Sequence, residues 1–368
     1  MRNSLIIWIA ILLTSITGCQ QARCPESLDP IPFKAASSMK SFSEAISSVK
    51  LIPIRCGQGP MLGSRLELIY LSGDYILCDM ENSIISRYDT CGIFLNTIAE
   101  RRNDPENVIS LADATVQAVN DSVVVITGDG SVFYLNAEGS LLRKSKIIEP
   151  GLQSTIHNGG VLAYYGYTRA PGHRLSFLKD GEVKNFLPSQ HKALPLLSSI
   201  PLMSRHGNRA FLIDSFNNTI YSFDGGDLIP YLSIDFGEYA LASDYYNAPI
   251  PEEGAKILLG SSFAYPLRYI ESDAVRLIEV VVQERPKAFL VYGMDIGGKW
   301  IWFGEGKDLG NNFFEDSPRI LEGKKLIALI APDKAPESQE FFRPFIESHS
   351  AIQDPDSLNC LIAEITLK

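Results

Sequence analysis

Asp79-Met80-Glu81-Asn82-Ser83-Ile84-Ile85-Ser86-Arg87-Tyr88-Asp89 returns without a gap as Asp214-Ser215-Phe216-Asn217-Asn218-Thr219-Ile220-Tyr221-Ser222-Phe223-Asp224. The two copies stand 135 residues apart, which is three times 45. Each reads as an acid, a polar turn, a short apolar strand and a second acidic turn. Shorter versions occur at Gly130–Gly139 and Arg174–Gly181. Self-similarity at this period is the signature of a repeat architecture.

Outward from this segment the unit gains two more strands. Leu66–Leu71, the turn Ser72-Gly73 and Asp74–Cys78 form a hairpin pattern just before the first copy. The same pattern surrounds Asn120-Asp121, Asn158-Gly159, His206-Gly207, Glu271-Ser272 and Glu322-Gly323. Gly and Asn at such turns supply the positive φ that tight hairpins require. Successive turns are 38 to 65 residues apart, about one propeller blade of four antiparallel strands each. The expected fold is therefore all-β, a six-bladed β-propeller with four-stranded antiparallel blades. Ser47–Ile54 near one end of the chain and Leu358–Leu367 at the other are the strands expected to meet in one blade and close the ring, since an open edge invites aggregation. Pro336–Ser348 has weak helical periodicity and reads as an insert in the last blade, and Tyr239–Ala264 reads as a long loop over one face.

The chain of 368 residues carries a net charge of −10, is 45% hydrophobic and has no basic stripe. That excludes disorder and argues against nucleic acid as a partner. Its first residues differ from the rest. Arg2 precedes the apolar run Leu5–Leu13, which ends at Ile16-Thr17-Gly18-Cys19. This is a secretory signal, too short to span a bilayer. The tetrapeptide resembles the lipoprotein box of bacteria. The resemblance implies cleavage after Gly18, acylation of Cys19, palmitate among the acyl chains, and a body tethered to the membrane by lipid. Gln20, where lipoproteins retained at the inner membrane have Asp, implies the outer membrane, with the body facing either the periplasm or the exterior. The expected organisation is a signal peptide over residues 1–18, a tether over 19–44 and the propeller over 45–368.

Lys50–Ile54, the Tyr75–Asp89 motif, Pro230–Gly237, Asn311-Asn312-Phe313-Phe314 and Ile362–Ile365 resemble the six-bladed β-propeller lipoproteins of anaerobic Gram-negative gut bacteria. That family is similar to the wider NHL and TolB-like propellers. One departure is that Arg101–Asn107 keeps only Pro105-Glu106 of a Gly-rich stretch usual after the first blade.

Chemistry is sparse. The five histidines show no metal-binding spacing, and the cysteines after Cys19 form no CxxC, so no metal and no cofactor are expected. Leu259–Phe263 lacks the second Gly of a nucleophile elbow, and Asp295–Lys299 is a hairpin turn rather than a phosphate cradle. No catalytic residue is assigned. His157 and His206 occupy neighbouring first turns, and Arg205 and Arg268 lie near inner strands, where they are placed to present cations to an anionic ligand. These four are the candidate binding residues on a propeller face. Asp79 and Asp214 read as turn caps rather than calcium ligands. Trp300 and Trp302 share one strand face, as a sugar platform or as packing between blades. The leading functional expectation is a lipid-anchored binding module for a glycan, peptide or protein partner. The alternative is an NHL-like hydrolase or lyase with a metal on the ring axis.

Overall fold

Alternating apolar residues bounded by two-residue turns fold here as expected, into hairpins stacked radially around an axis. The computed structural model describes residues 28–33, 39–55, 57, 59–100, 109–147, 149–166, 172–188, 202–214, 216–248, 251–284, 287–304, 320–330, 340–346 and 358–368. Residues 1–18, Cys19, Arg101–Asn107 and Asn311–Phe314 lie outside the described residues.

Strands β1 (Ile31–Pro32) and β2 (Ile46–Arg55) come first. Blade 1 is β3 (Leu66–Leu71), β4 (Asp74–Asp79), β5 (Ile84–Tyr88) and β6 (Phe94–Glu100). Blade 2 is β7 (Thr115–Val119), β8 (Ser122–Ile126), β9 (Ser131–Asn136) and β10 (Leu141–Lys146). Blade 3 is β11 (Gln153–His157), β12 (Gly160–Tyr164), β13 (His173–Lys179) and β14 (Glu182–Pro188). Blade 4 is β15 (Leu202–His206), β16 (Arg209–Ile213), β17 (Thr219–Phe223) and β18 (Leu228–Asp235). Blade 5 is β19 (Phe263–Glu271), β20 (Val275–Glu284), β21 (Lys287–Ile296) and β22 (Lys299–Gly304). Blade 6 is β23 (Ile320–Glu322), β24 (Lys325–Ile330) and β25 (Leu358–Leu367), completed by β2. The first strands pack in the ring order β3, β7, β11, β15, β19, β23, and β24 returns to β3. They surround the axis. Closure is therefore the expected one: β25 pairs antiparallel with β2 along nearly its whole length, from Ile46↔Leu367 to Arg55↔Leu358.

Core packing lies between blades. Leu361, Ala363, Ile365 and Leu367 of β25 join Leu277, Tyr292 and Met294 of blade 5, whereas Cys360 and Ile362 join Leu68, Tyr75 and Leu77 of blade 1. Successive residues of one strand thus fill opposite seams. Cys78 and Cys360 are buried, as their apolar surroundings led us to expect.

The part of the tether that the structure describes packs on the ring. β1 adds a parallel strand to β18, Lys40 bridges to Phe303 of β22, and β2 forms the rim of blade 6. One segment thus covers the outer edges of blades 4, 5 and 6 in turn. It also settles the tryptophans. Trp302 is buried beneath the segment, its indole Nε1 donating to Pro32 O at 2.9 Å and its ring 4.9 Å from that of Phe33. Trp300 packs beside it under the Arg276 guanidinium. The pair serves packing, the second of the two roles the sequence allowed. The uncovered edge β10 is protected differently, by Arg143, Lys144 and Lys146.

One segment differs from expectation. Within Tyr239–Ala264, a helix spans Pro251–Gly260, with Pro at its first position and Glu252 and Glu253 in its first turn. Proline and acids suit a helix start, and ten residues are too few for periodicity to reveal. Within Pro336–Ser348, Glu340–Phe342 are helical and run on into a 3-10 turn at Arg343–Phe345, in keeping with the helical insert expected there.

Tyrosine phenols are clamped across the seams. Tyr75 donates to Glu364 between blades 1 and 6, and Tyr231 donates to Glu271 at 3.1 Å between blades 4 and 5. Burial, then the Glu364 hydrogen bond and charge, holds Tyr75 above the usual phenol range; burial and Glu271 do the same for Tyr269. Burial, with the Cys360 thiol adding to it, pushes Tyr88 up to about 12. A phenol is neutral when protonated, so a raised folded pKa gives stability that is intact below the unfolded value of about 10 and lost as pH rises above it. Alkaline titration is expected to unfold the ring between about pH 10 and 12, with tyrosinate absorbance and loss of near-ultraviolet dichroism in one step. Phenols that ionise freely in a folded chain would contradict this.

Candidate functional site

The ring has two unlike faces. Strand one turns into strand two through short links, such as Ser72-Gly73, Asn120-Asp121, Asn158-Gly159 and Gly207-Asn208, and this hairpin face carries no connection longer than five residues between named strands. Connections 189–201, 236–262, 305–319 and 331–357 all leave from the opposite, loop face.

The inner strands of blades 2, 3 and 4 gather polar side chains between mid-axis and the hairpin face. Thr155 Oγ1 donates to Gln117 Oε1 at 2.5 Å, joining β11 to β7. Met203 N donates to Gln153 Oε1 at 3.0 Å, which sets β11 and β15 side by side. Two residues further along each strand this brings Thr155 level with Arg205, and His157 follows at the end of β11. Gln117 Nε2 and both ring nitrogens of His157 are buried without a hydrogen-bond partner of normal geometry among the described residues. His157 is 1% exposed, its ring 5.4 Å from that of Phe223. Burial pushes its imidazole below the ordinary range and the Arg205 charge adds to this, while the Asp224 main chain and carboxylate pull the other way.

Arg205 is the unusual member. Its side chain is accessible, yet desolvation depresses its guanidinium and no acidic side chain opposes that shift. No ion-pair partner for it occurs among the described residues.

The other two expected residues lie elsewhere. Neighbours on a strand point to opposite seams, so His206 turns into the seam between blades 4 and 5, where its Nε2 meets Asp273 Oδ1 at 2.9 Å. Arg268 is buried in β19 opposite Glu279, also buried, with the side chains that face blade 6. Of the four candidates the fold brings together His157 and Arg205 only. Gln117 and Thr155 were missed. Nothing in a β-strand Gln or Thr marks it, apart from its place on the first strand of a blade.

The repeated acids also part ways. Asp79 caps its turn, accepting from Gly63 N at 2.7 Å, Glu81 N at 3.0 Å and Asn82 N at 2.9 Å. Asp214 instead reaches into blade 3, accepting from Arg174 Nη2 at 2.7 Å, Arg174 Nε at 3.1 Å and Tyr164 OH at 2.9 Å. Among the described residues no three His, Cys, Asp or Glu side chains are grouped to hold a metal ion.

Residues 30–342 match the family model described as a domain of unknown function, DUF4934. The fold is similar to that of a protein from Bacteroides fragilis described as exported, with a TM-score of 0.68 and 12% identity over 93% of this chain and 100% of that one. It is also similar to a DUF4221 family member from Bacteroides vulgatus, with a TM-score of 0.53 and 11% identity over 88% of this chain and 97% of the other. Identities this low speak for the fold alone. No curated protein matches the sequence.

Proposed function

Because this chain belongs to the DUF4934 family, which carries no assigned activity, we propose its function from its own geometry: a binding module of the bacterial envelope that holds its ligand at the axis. The observation that carries this is on the inner strands of blades 2 to 4, where Gln117 and His157 lack hydrogen-bond partners of normal geometry and Arg205 lacks an ion-pair partner among the described residues. Buried polar groups are normally satisfied, and where several stand unsatisfied a ligand or water supplies the partner. Export is supported by the secretory pattern of residues 1–18 and by the description of the B. fragilis structure as exported. Lipid attachment at Cys19 places the ring at the outer membrane, in line with the lipoprotein resemblance of the sequence.

Two measurements test the reading. Metabolic labelling with palmitate is expected to mark the wild type and not Cys19→Ser, which should move from the membrane to the soluble fraction. Screening the ring, residues 28–368, against glycans and peptides is expected to give a ligand whose affinity falls in Gln117→Ala. A ring that binds nothing, or binds with Gln117→Ala unimpaired, overturns the axial site.

A further inference from the structure

We propose that β14, the outer strand of blade 3, is a self-association edge, on which two copies of the chain pair antiparallel across a twofold axis at Val183. The edge lies on the rim of the ring and is independent of the axial site proposed above.

The outer edges of the blades are not equally open. The N-terminal segment occupies those of blades 4, 5 and 6, β10 is lined with cations, and β6 joins its blade through two register irregularities. Bulges and charges of this kind discourage a further strand. β14 keeps one register with β13 throughout, and no strand lies beyond it among the described residues. Glu182, Val183, Lys184 and Asn185 are all exposed, Val183 by 60%.

The preceding turn sets the direction of the backbone groups. Asp180 and Gly181 both have positive φ, 51° and 83°. This is the two-residue hairpin turn whose flanking residues, here Lys179 and Glu182, exchange both hydrogen bonds. Tyr165 N donates to Arg174 O at 2.8 Å, which places the even-numbered backbone groups of β13 toward β12 and the odd-numbered ones toward β14. Lys179 pairs with Glu182 and Phe177 with Lys184. Glu182 and Lys184 therefore turn their backbone groups inward, whereas Val183 and Asn185 turn theirs away from the blade.

The side chains select the partner. When Val183 stands opposite Val183 of a second copy, the outward N–H and C=O groups of each meet those of the other. Glu182 of either copy then falls opposite Lys184 of its mate. Opposite charges in that position attract, and the twofold supplies the pair twice. Moving the axis by one residue, to Glu182 or to Lys184, would instead set like charges face to face. Glu182 and Lys184 share the face toward blade 4, where Lys184 Nζ meets Asp227 Oδ1 at 2.9 Å, and Val183 lies on the other.

Sedimentation velocity of the mature chain bearing Cys19→Ser, under reducing conditions, tests the proposal. A short strand contact is a weak interface, so the dimer is expected to appear as the concentration passes about 0.1 mM. Val183→Pro removes an N–H that β13 does not use and should give a monomer that melts at the wild-type temperature. Val183→Glu, which places two acids opposite one another, should also give a monomer. Glu182→Lys and Lys184→Glu should each weaken dimerisation by about tenfold or more. An equimolar mixture of these two variants should recover it, because each supplies the charges that the other lacks. The proposal is overturned by a chain that stays monomeric at every concentration, by a dimer that persists in both Val183 variants, or by a mixture no more associated than its components.

Discussion

Ending the chain at Ser357 removes β25 and is expected to leave no folded ring. Leu361, Ile362, Ile365 and Leu367 are all buried, and burying each such side chain contributes about 1.5–3 kcal/mol. Their sum is comparable to the roughly 5–15 kcal/mol that separates a typical native domain from its unfolded state. The loss goes beyond area. β25 is the one strand that joins β24 to β2, so without it β2 pairs with nothing and blade 6 shrinks to β23 and β24. Both seams of that blade open, since Leu361 and Ile365 fill one and Ile362 the other. The truncated chain should lack a cooperative thermal transition and a near-ultraviolet dichroism spectrum. A synthetic peptide of residues 358–368, added in trans, should restore some of each. A truncated ring that melts cooperatively at the wild-type temperature would show that closure resides elsewhere.

The second large effect is expected at the seam between blades 3 and 4. Asp214 is fully buried and Arg174 nearly so, and they are joined through two hydrogen bonds. Arg174→Met leaves the carboxylate with the Tyr164 phenol but without its cation. Breaking a buried pair from one side costs about 3–5 kcal/mol, because the remaining charge stays desolvated. Replacing both partners, as Arg174→Met with Asp214→Leu, removes that charge as well and should recover most of the loss. Asp79→Ala provides the contrast, since loss of a turn cap costs about 0.5–2 kcal/mol. Urea midpoints of the four proteins check this ordering. Equal losses for Arg174→Met and Asp79→Ala would contradict the different roles assigned to the two acids.

Those two acids show how far the sequence could be read. Both open the same eleven-residue motif, and the turn-capping role foreseen for both holds for Asp79. Asp214 differs because its partners arrive from another blade, Tyr164 at the end of β12 and Arg174 in β13, and no local pattern announces a contact across a seam. The histidines teach the same lesson. Their places at adjacent turns were legible, and their separation was not. His157 faces blade 4 and His206 faces blade 5, which follows from the parity of each residue on its strand and from the pairing of Gln153 with Met203. The helix at Pro251–Gly260 escaped notice because it is short and because its signals, a proline and two acids, are also those of a loop.

The sequence by itself determined that the chain is a ring of six blades and that the two ends meet in one blade; it located the hairpin turns too, although His206, Glu271 and Glu322, expected in turns, end the strands that precede them. All of this rests on local chemistry, namely the two-residue period of strands, the turn residues that accept positive φ, and the strand patterns left over at each end. Only the tertiary structure decided which side chains share a space. In a propeller each inner-strand residue points to one of two seams or toward the axis, and a shift of one residue changes the answer. His157 and Arg205 therefore come near one another between blades 3 and 4, whereas His206 and Arg268, equally prominent in the sequence, are turned away into other seams.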